Sequence, residues 1–241
     1  MLFTEVIARL ELAFARELPG VVAQGALAPV PRRQWPSGFN PARVRHAAGL
    51  LLLFPAPNHN AKPAKAAEQQ DALQSLRSLH SSSGDHSDHA HVVLTVRADT
   101  LERHGGQVSL PGGVVEPGES FEQAALREAH EEIALPLDGV RVLGALTPLD
   151  IPVSGFRLHP IVAARTARPA LTPSDGEVAR ILEIDVDELL QPSCVRVTQR
   201  ERDGRTLTVP GFHLHDVEIW GATAMVLAEF LALLGWSMSP R

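Results

Sequence analysis

The sequence predicts an α/β fold, and three stretches carry that expectation. AAGLLLLF, Ala47 to Phe54, is a short apolar run closed by Pro55 and reads as a buried strand. A glycine-rich stretch opens into a capped helix after Ser120. Near the C-terminus, EIWGATAMVLAEFLALLGW is too short and, with Glu229 inside it, too polar for a membrane span, so it reads as a core helix.

Taken in order, the first twenty residues place Val6, Leu10, Ala13 and Phe14 at helical spacing, which predicts an amphipathic helix packed on the domain. Acidic residues run through this stretch and no basic segment precedes an apolar one, so neither a signal peptide nor a membrane anchor is expected. Residues 19–45 are rich in proline and arginine and are expected to form an irregular arm. Arg32 and Arg33 read there as solvated surface arginines, with a phosphate contact as the alternative. Residues 1–46 are therefore taken as helix and arm, ahead of a domain at 47–236.

Strand 47–54 is expected to pair with His91–Arg97. Between them, about 57–90, the chain is dominated by Ala, Ser, His, Asp, Gln and Lys, which buries little apolar surface and predicts a mobile surface insertion. His80, His86, His89 and His91 fit no standard metal spacing. The chain has 241 residues and a formal net charge of −6, which argues against a general nucleic-acid binder. One cysteine, Cys194, excludes an internal disulfide framework, fits a reducing cytoplasm, and reads as a half-buried strand residue rather than a nucleophile.

The informative stretch is GGVVEPGESFEQAALREAHEEIAL, Gly112 to Leu135. Ser120 and Gln123 form a capping box, so a helix is expected from Phe121. Glu128, Glu131 and Glu132 then stack on one face at i, i+3 and i+4. Like charges so close need solvent or a countercharge. A hard divalent cation such as Mg²⁺ or Mn²⁺ is one, because it takes oxygen ligands and accepts phosphate oxygens; a solvated acidic face is the other reading of the bare triplet.

With its spacing, Gly113, five residues, Glu119, seven residues, Arg127-Glu128, two residues, Glu131-Glu132, the stretch resembles the Nudix hydrolases, whose signature is G-x5-E-x7-R-E-U-x-E-E-x-G-U. Ala129 is smaller than the usual apolar residue and Ala134 replaces the final glycine. The resemblance implies an α/β/α sandwich with a mixed sheet. It also implies metal ligands at Glu128, Glu131 and Glu132, and a structural ion pair between Glu119 and Arg127. Gly112 and Gly113 let the backbone approach the site closely.

Upstream, LTVRADTLERHGGQVSLPGG, Leu94 to Gly113, is similar to a second signature found in the coenzyme A pyrophosphatase branch of that family. Thr95, Arg97, Leu101, His104, Gly106, Gln107, Val108, Ser109, Pro111, Gly112 and Gly113 match it; Glu102 stands for an arginine and Leu110 for a phenylalanine. On this resemblance Arg97, Arg103, His104 and Gly112 are the expected substrate contacts, since guanidinium and imidazolium groups suit phosphate. Solvated arginines and a turn-capping His104 are the alternative.

Downstream, strands are expected at Val140–Thr147 and Phe156–Thr166, and a hairpin at 195–209 around Asp203-Gly204. DGEVARILEIDVDELL, from Asp175, is similar to the family's acidic loop and final short helix, where Glu177 is a candidate metal ligand or general base. Trp220 reads as a packing residue, with a substrate platform as the alternative. The resemblance thus implies metal-assisted hydrolysis of a nucleoside diphosphate linkage, with Glu128, Glu131 and Glu177 as candidate bases and coenzyme A or acyl-CoA as substrate. ADP-ribose, NADH, nucleoside triphosphates and diadenosine polyphosphates fit the box equally. A non-catalytic nucleotide-sensing module is the alternative of a different class. A small nucleotide partner, no nucleic acid, no membrane, and a possible homodimer complete the expectations.

Overall fold

The computed structural model describes residues 1–57, 88–98, 105–202, 204–214 and 216–237. Most of the expected insertion, with His80 and His86, lies outside the described residues, as do Leu101, Glu102, Arg103, His104 and Asp203.

The central strand is β1, Arg45–Ala56. It runs parallel to β7, Phe156–Ala164, from Arg45 opposite Phe156 to Leu53 opposite Ala164. It runs antiparallel to β2, His89–Arg97, at Leu53–Ala56, and to β4, Gly112–Val114, at Ala47–Gly49. β2 also carries β3, Val108–Ser109, and β8, Val178–Asp185; β7 also carries β5, Arg141–Ala145, and β6, Leu149–Ile151. Among the described residues these eight strands form one mixed sheet. β1 runs two residues further at each end than its apolar run suggests. Pro55 fits inside it because the pairing with β7 stops at Leu53, so its missing N–H takes nothing from that ladder.

The apolar run is continuous because β1 is buried on both faces. Ala48, Leu50, Leu52 and Phe54 point to α3, Phe121–Ile133, where they meet Ala124, Ala125, Ala129 and Ile133. Leu51 and Leu53 point the other way, into a core shared with α1, Phe3–Phe14, and α5, Gly221–Leu233. The result is an α/β/α sandwich. Ala129, smaller than the signature residue, is fully buried against β1, where its size lets the helix lie close to the sheet.

α1 buries Phe3, Val6 and Leu10. Within the stretch read as an irregular arm, Gly20–Gly25 forms a short helix, α2, which packs on α5. Leu27 is fully buried and Val30 forms a bridge to Thr208, with each amide donating to the other's carbonyl at 2.8 Å. The turn of helix has a polar cause: Gln24 is buried and donates to the fully buried Glu229 carboxylate (2.8 Å) and to the Thr147 carbonyl (2.8 Å). Thr147 adds its hydroxyl (2.7 Å) and amide (3.2 Å) to the same carboxylate, so the one acid inside α5 is paired as a buried charge requires.

The segment after Asp175 differs from a loop and helix. Val178–Asp185 is strand β8 against β2, and the helix, α4, is confined to Val186–Leu190. The hairpin appears as β9, Val195–Arg202, and β10, Arg205–Leu214, joined by β11, Val217–Trp220, in a three-stranded antiparallel sheet. Cys194 is not in a strand: it sits buried in the turn Pro192–Cys194, and burial pushes its thiol up to about 11, which removes it as a nucleophile. None of the described helices is long and apolar enough to cross a membrane.

α3 starts as expected. The Gln123 amide donates to the Ser120 hydroxyl (3.2 Å) and the Ser120 amide to the Gln123 side chain (2.8 Å). It ends at Ala134, which has φ 51° and ψ 36°, the left-handed conformation that favours glycine. Replacing Ala134 by Gly is expected to raise stability by about 0.5–1 kcal/mol, the left-handed penalty less the added freedom of the unfolded chain; urea unfolding measures it.

Candidate active site

Four elements converge beside α3. β4 and the loop after it bring Gly112, Gly113 and Glu119; α3 brings Arg127, Glu128, Glu131 and Glu132; the end of β2 brings Arg97; the turn before β8 brings Glu177. The antiparallel pairing of β2 with β8 sets Arg97 opposite Val178, and the Ala98 amide donates to the Glu177 carbonyl at 2.9 Å. The Ser174 amide donates to the Glu132 carbonyl at 2.8 Å, tying that turn to α3.

Arg127 organises the loop. Its Nε and Nη2 donate to the two Glu119 oxygens at 2.7 and 3.0 Å, and Nη2 also reaches the Val114 carbonyl at 3.1 Å. Nη1 reaches Glu128 at 3.0 Å and Glu131 at 3.2 Å. The hydrogen bond from Arg127, then that from the Glu116 amide, holds the Glu119 carboxyl down at about 2. Glu119 is therefore a charged anchor and Arg127 the brace between loop and helix.

Glu132 is buried, accepts from the Gly112 amide at 3.0 Å and lies 4.0 Å from Arg97. Burial pushes its carboxyl up to about 7, against the Gly112 hydrogen bond and the Arg97 charge, with Glu128 and Glu177 raising it further. Glu128 is also raised, first by burial and then by Glu131 and Glu177, despite Arg127. Glu131 and Glu177 thus lie within electrostatic reach of Glu128, and Glu128 and Glu177 within reach of Glu132. Glu131 and Glu177 are exposed, as ligands open to a substrate would be. Partly buried, mutually repelling carboxylates with only oxygen donors suit a hard divalent cation, so the residues present fit one.

Glycine is required at two points. A Cβ on Gly112 would lie 2.2 Å from the Ala48 carbonyl oxygen and 2.6 Å from the Gly49 Cα; one on Gly113 would lie 2.5 Å from the Glu128 carboxylate. Leu110, standing for a phenylalanine, is buried against Gly49.

A cavity of about 940 Å³ opens beside this centre, lined by Arg97, Gln107, Val108 and Ser109 on one part of its wall and by Arg32, Arg33, Arg205 and Trp220 on others. The sequence offered Arg32 and Arg33 as phosphate contacts only in the alternative and Trp220 as packing, and it did not single out Arg205. Arg32 and Arg33 are exposed, as expected of surface arginines, yet they form cavity wall. Trp220 is half-buried beneath the Arg200 guanidinium, 4.3 Å from its ring centre, and also lines a second cavity of about 510 Å³. Their signal was the pairing of the arm with β10, which no local pattern reveals.

Beneath the glycine loop, His46 Nδ1 and His159 Nε2 are 2.9 Å apart, and the Phe121 ring stacks on His159 at 3.5 Å. Burial, then the His46 and Arg157 charges, pushes His159 down to about 4. The unfolded chain therefore takes up a proton near pH 6.5 that the fold refuses until about 4. Stability is expected to be intact above pH 6.5 and to fall by about 3 kcal/mol as pH drops through that window; urea midpoints at pH 7, 6 and 5 measure it, and His159→Gln should flatten the slope.

A second group lies elsewhere. His89, Asp185 and Asp187 place their donor atoms within 4.8 Å of one another. His89 Nδ1 is 2.8 Å from Asp187, which also receives the Met1 ammonium, while Asp185 caps α4 by accepting from the Asp187 amide at 2.8 Å. Of the four histidines considered together in the sequence, His89 is here and His91 is buried against Phe54. Both stand in β2, His91 as expected and His89 in place of the insertion that was expected to run to about residue 90.

A family model, the NUDIX domain, matches residues 84–202. A NudL Nudix hydrolase of uncharacterized activity from Pectobacterium atrosepticum is 36% identical over 139 residues, 57% of this chain and 72% of its own. The NudL of Yersinia pestis is 39% identical over 137 residues, covering 56% and 68%. Among solved structures, RenU, a Nudix hydrolase from M. Smegmatis, aligns with a TM-score of 0.46 at 20% identity over 82% of this chain and 90% of that one. With the curated relatives covered over two thirds of their length and the carboxylate helix in register with the signature, the chain belongs to the Nudix hydrolases, as a pyrophosphohydrolase that uses a divalent metal.

Proposed function

We propose that the chain hydrolyses coenzyme A or its acyl derivatives with Mg²⁺ or Mn²⁺, giving adenosine 3′,5′-bisphosphate and (acyl-)4′-phosphopantetheine. The observation that carries the reading is Arg97: one guanidinium belongs both to the carboxylate centre, 4.0 Å from Glu132, and to the wall of the 940 Å³ cavity. A diphosphate laid against Arg97 would have its scissile linkage at the carboxylates and the rest of the nucleotide in the cavity. Gln107, Val108 and Ser109, from the upstream signature, line the same wall.

In this reading Glu128, Glu131 and Glu132 hold the cation, with Glu177 as a further ligand or the base. When bound, such a cation supplies positive charge for the diphosphate oxygens and lowers the pKa of water. The Gly112 amide fixes the Glu132 carboxylate, and Arg127 fixes Glu128 against Gly113. Arg97 offsets charge that builds on the phosphate as the linkage breaks. The proton of the attacking water goes to Glu128, Glu131 or Glu177; of these, Glu177 is the exposed group on the turn facing Glu128 and Glu132. Arg103 and His104 remain proposed phosphate contacts. Residues 47–236 are proposed as the catalytic domain, with the arm in 1–46 closing one wall of the cavity. A cytoplasmic setting and a homodimer belong to the same proposal.

The test is a product assay with purified protein and Mg²⁺ or Mn²⁺ against coenzyme A, acetyl-coenzyme A, ADP-ribose, NADH and a nucleoside triphosphate. Adenosine 3′,5′-bisphosphate from the first two, at rates well above the others, is expected. Preference for another diphosphate would discard the coenzyme A assignment and keep the hydrolase.

A further inference from the structure

We propose that Arg32 and Arg33, with Arg205, form an anion subsite that selects nucleotides carrying a phosphomonoester in addition to the scissile diphosphate. The proposal deepens the reading of the cavity as the substrate pocket and rests on it.

The cavity is lined by an excess of positive charge. The chain carries a net −6, yet the cavity wall holds Arg32, Arg33, Arg97 and Arg205 against one carboxylate, Asp150. That carboxylate is already engaged: Arg157 donates to its two oxygens at 2.7 and 3.2 Å and holds it below the usual carboxylate range. A wall of this composition attracts polyanions, and guanidinium forks match phosphate oxygens.

The arm does not hang loose. Leu27 is fully buried, and the reciprocal 2.8 Å hydrogen bonds between Val30 and Thr208 fix it to β10, three residues from Arg205. The pair at 32–33 therefore follows directly from an anchored residue. Arg97 serves the carboxylate centre, whereas Arg32, Arg33 and Arg205 line the cavity without any contact to that centre among the described residues, and Arg32 also lies within electrostatic reach of Asp150. At about 940 Å³ the cavity is also far roomier than a diphosphate needs, and falls in the range of pockets that enclose whole ligands.

The test is calorimetric binding of adenosine 3′,5′-bisphosphate and of AMP without added metal, to the wild type, to Arg32→Ala/Arg33→Ala and to Arg32→Lys/Arg33→Lys. The wild type is expected to bind the bisphosphate at least about 10-fold more tightly than AMP, a gap that two charge-assisted contacts readily supply. The alanine pair should lose that preference while keeping its AMP affinity, which also reports an intact fold; the lysine pair should recover part of it. No preference in the wild type, or the same preference in the alanine pair, would overturn the subsite. A protein that shows the arginine-dependent preference but cleaves no coenzyme A keeps the subsite and loses the hydrolytic assignment. One that cleaves coenzyme A and its 3′-dephospho form equally, without the preference, does the reverse.

Discussion

Glu128→Gln is expected to lower kcat on the order of 10³-fold, the scale seen when one preorganised electrostatic group is removed from an active site, while leaving the fold at least as stable as the wild type. The two effects have one cause. The Glu128 carboxylate is half-buried, packed on Gly113 and held by Arg127 Nη1 at 3.0 Å. Burial and the neighbouring carboxylates raise its pKa, so its ionised form costs the folded state free energy that a neutral amide of the same shape does not. A residue kept at such a cost serves the charge it carries. Steady-state kinetics and thermal unfolding of the same preparation read both effects; a variant that loses stability along with turnover would make Glu128 a packing residue instead.

The adjacent glycines are expected to fail in different ways. Gly112→Ala forces a Cβ to within 2.2 Å of a β1 carbonyl oxygen and 2.6 Å of a backbone carbon. Neither atom can swing aside, so β4 must leave β1, at about 3 kcal/mol as in severe overpacking. It would also carry away the amide that holds Glu132 at 3.0 Å. Gly113→Ala meets only the far end of a side chain, the Glu128 carboxylate at 2.5 Å. That group can rotate, so stability should stay within about 1 kcal/mol, but the carboxylate leaves its position and kcat should fall about 10²-fold. Urea unfolding and kinetics on the two variants separate the outcomes. Equal loss of stability in both would contradict the contact assigned to Glu128.

The carboxylate helix was legible because its causes are local. A capping box, a three- and four-residue spacing and a glycine pair all act within one turn or loop; the capping box appears with both of its hydrogen bonds and the glycines pack closely on β1 and on Glu128. The Glu119–Arg127 brace was legible only through the family resemblance, since eight residues separate the two along the chain. The buried strand was legible from its apolar run, but not its extension through Pro55 and Ala56, which comes from pairing with β2. β8 was not legible as a strand, because VARILEID alternates weakly and its order comes from pairing with β2. Least legible was the cavity. Arg32, Arg33, Arg205 and Trp220 come together only through the Val30–Thr208 bridge, a contact between residues 178 positions apart.

The carboxylate face of α3 is proposed to hold the divalent cation, and Mn²⁺ binding tests that assignment most directly. Calorimetric titration of the wild type, Glu128→Gln/Glu131→Gln and Asp187→Asn separates that face from the His89, Asp185 and Asp187 group. Binding abolished by the pair on α3 and retained in Asp187→Asn is the predicted result. Binding that survives the α3 pair and disappears with Asp187→Asn would contradict it.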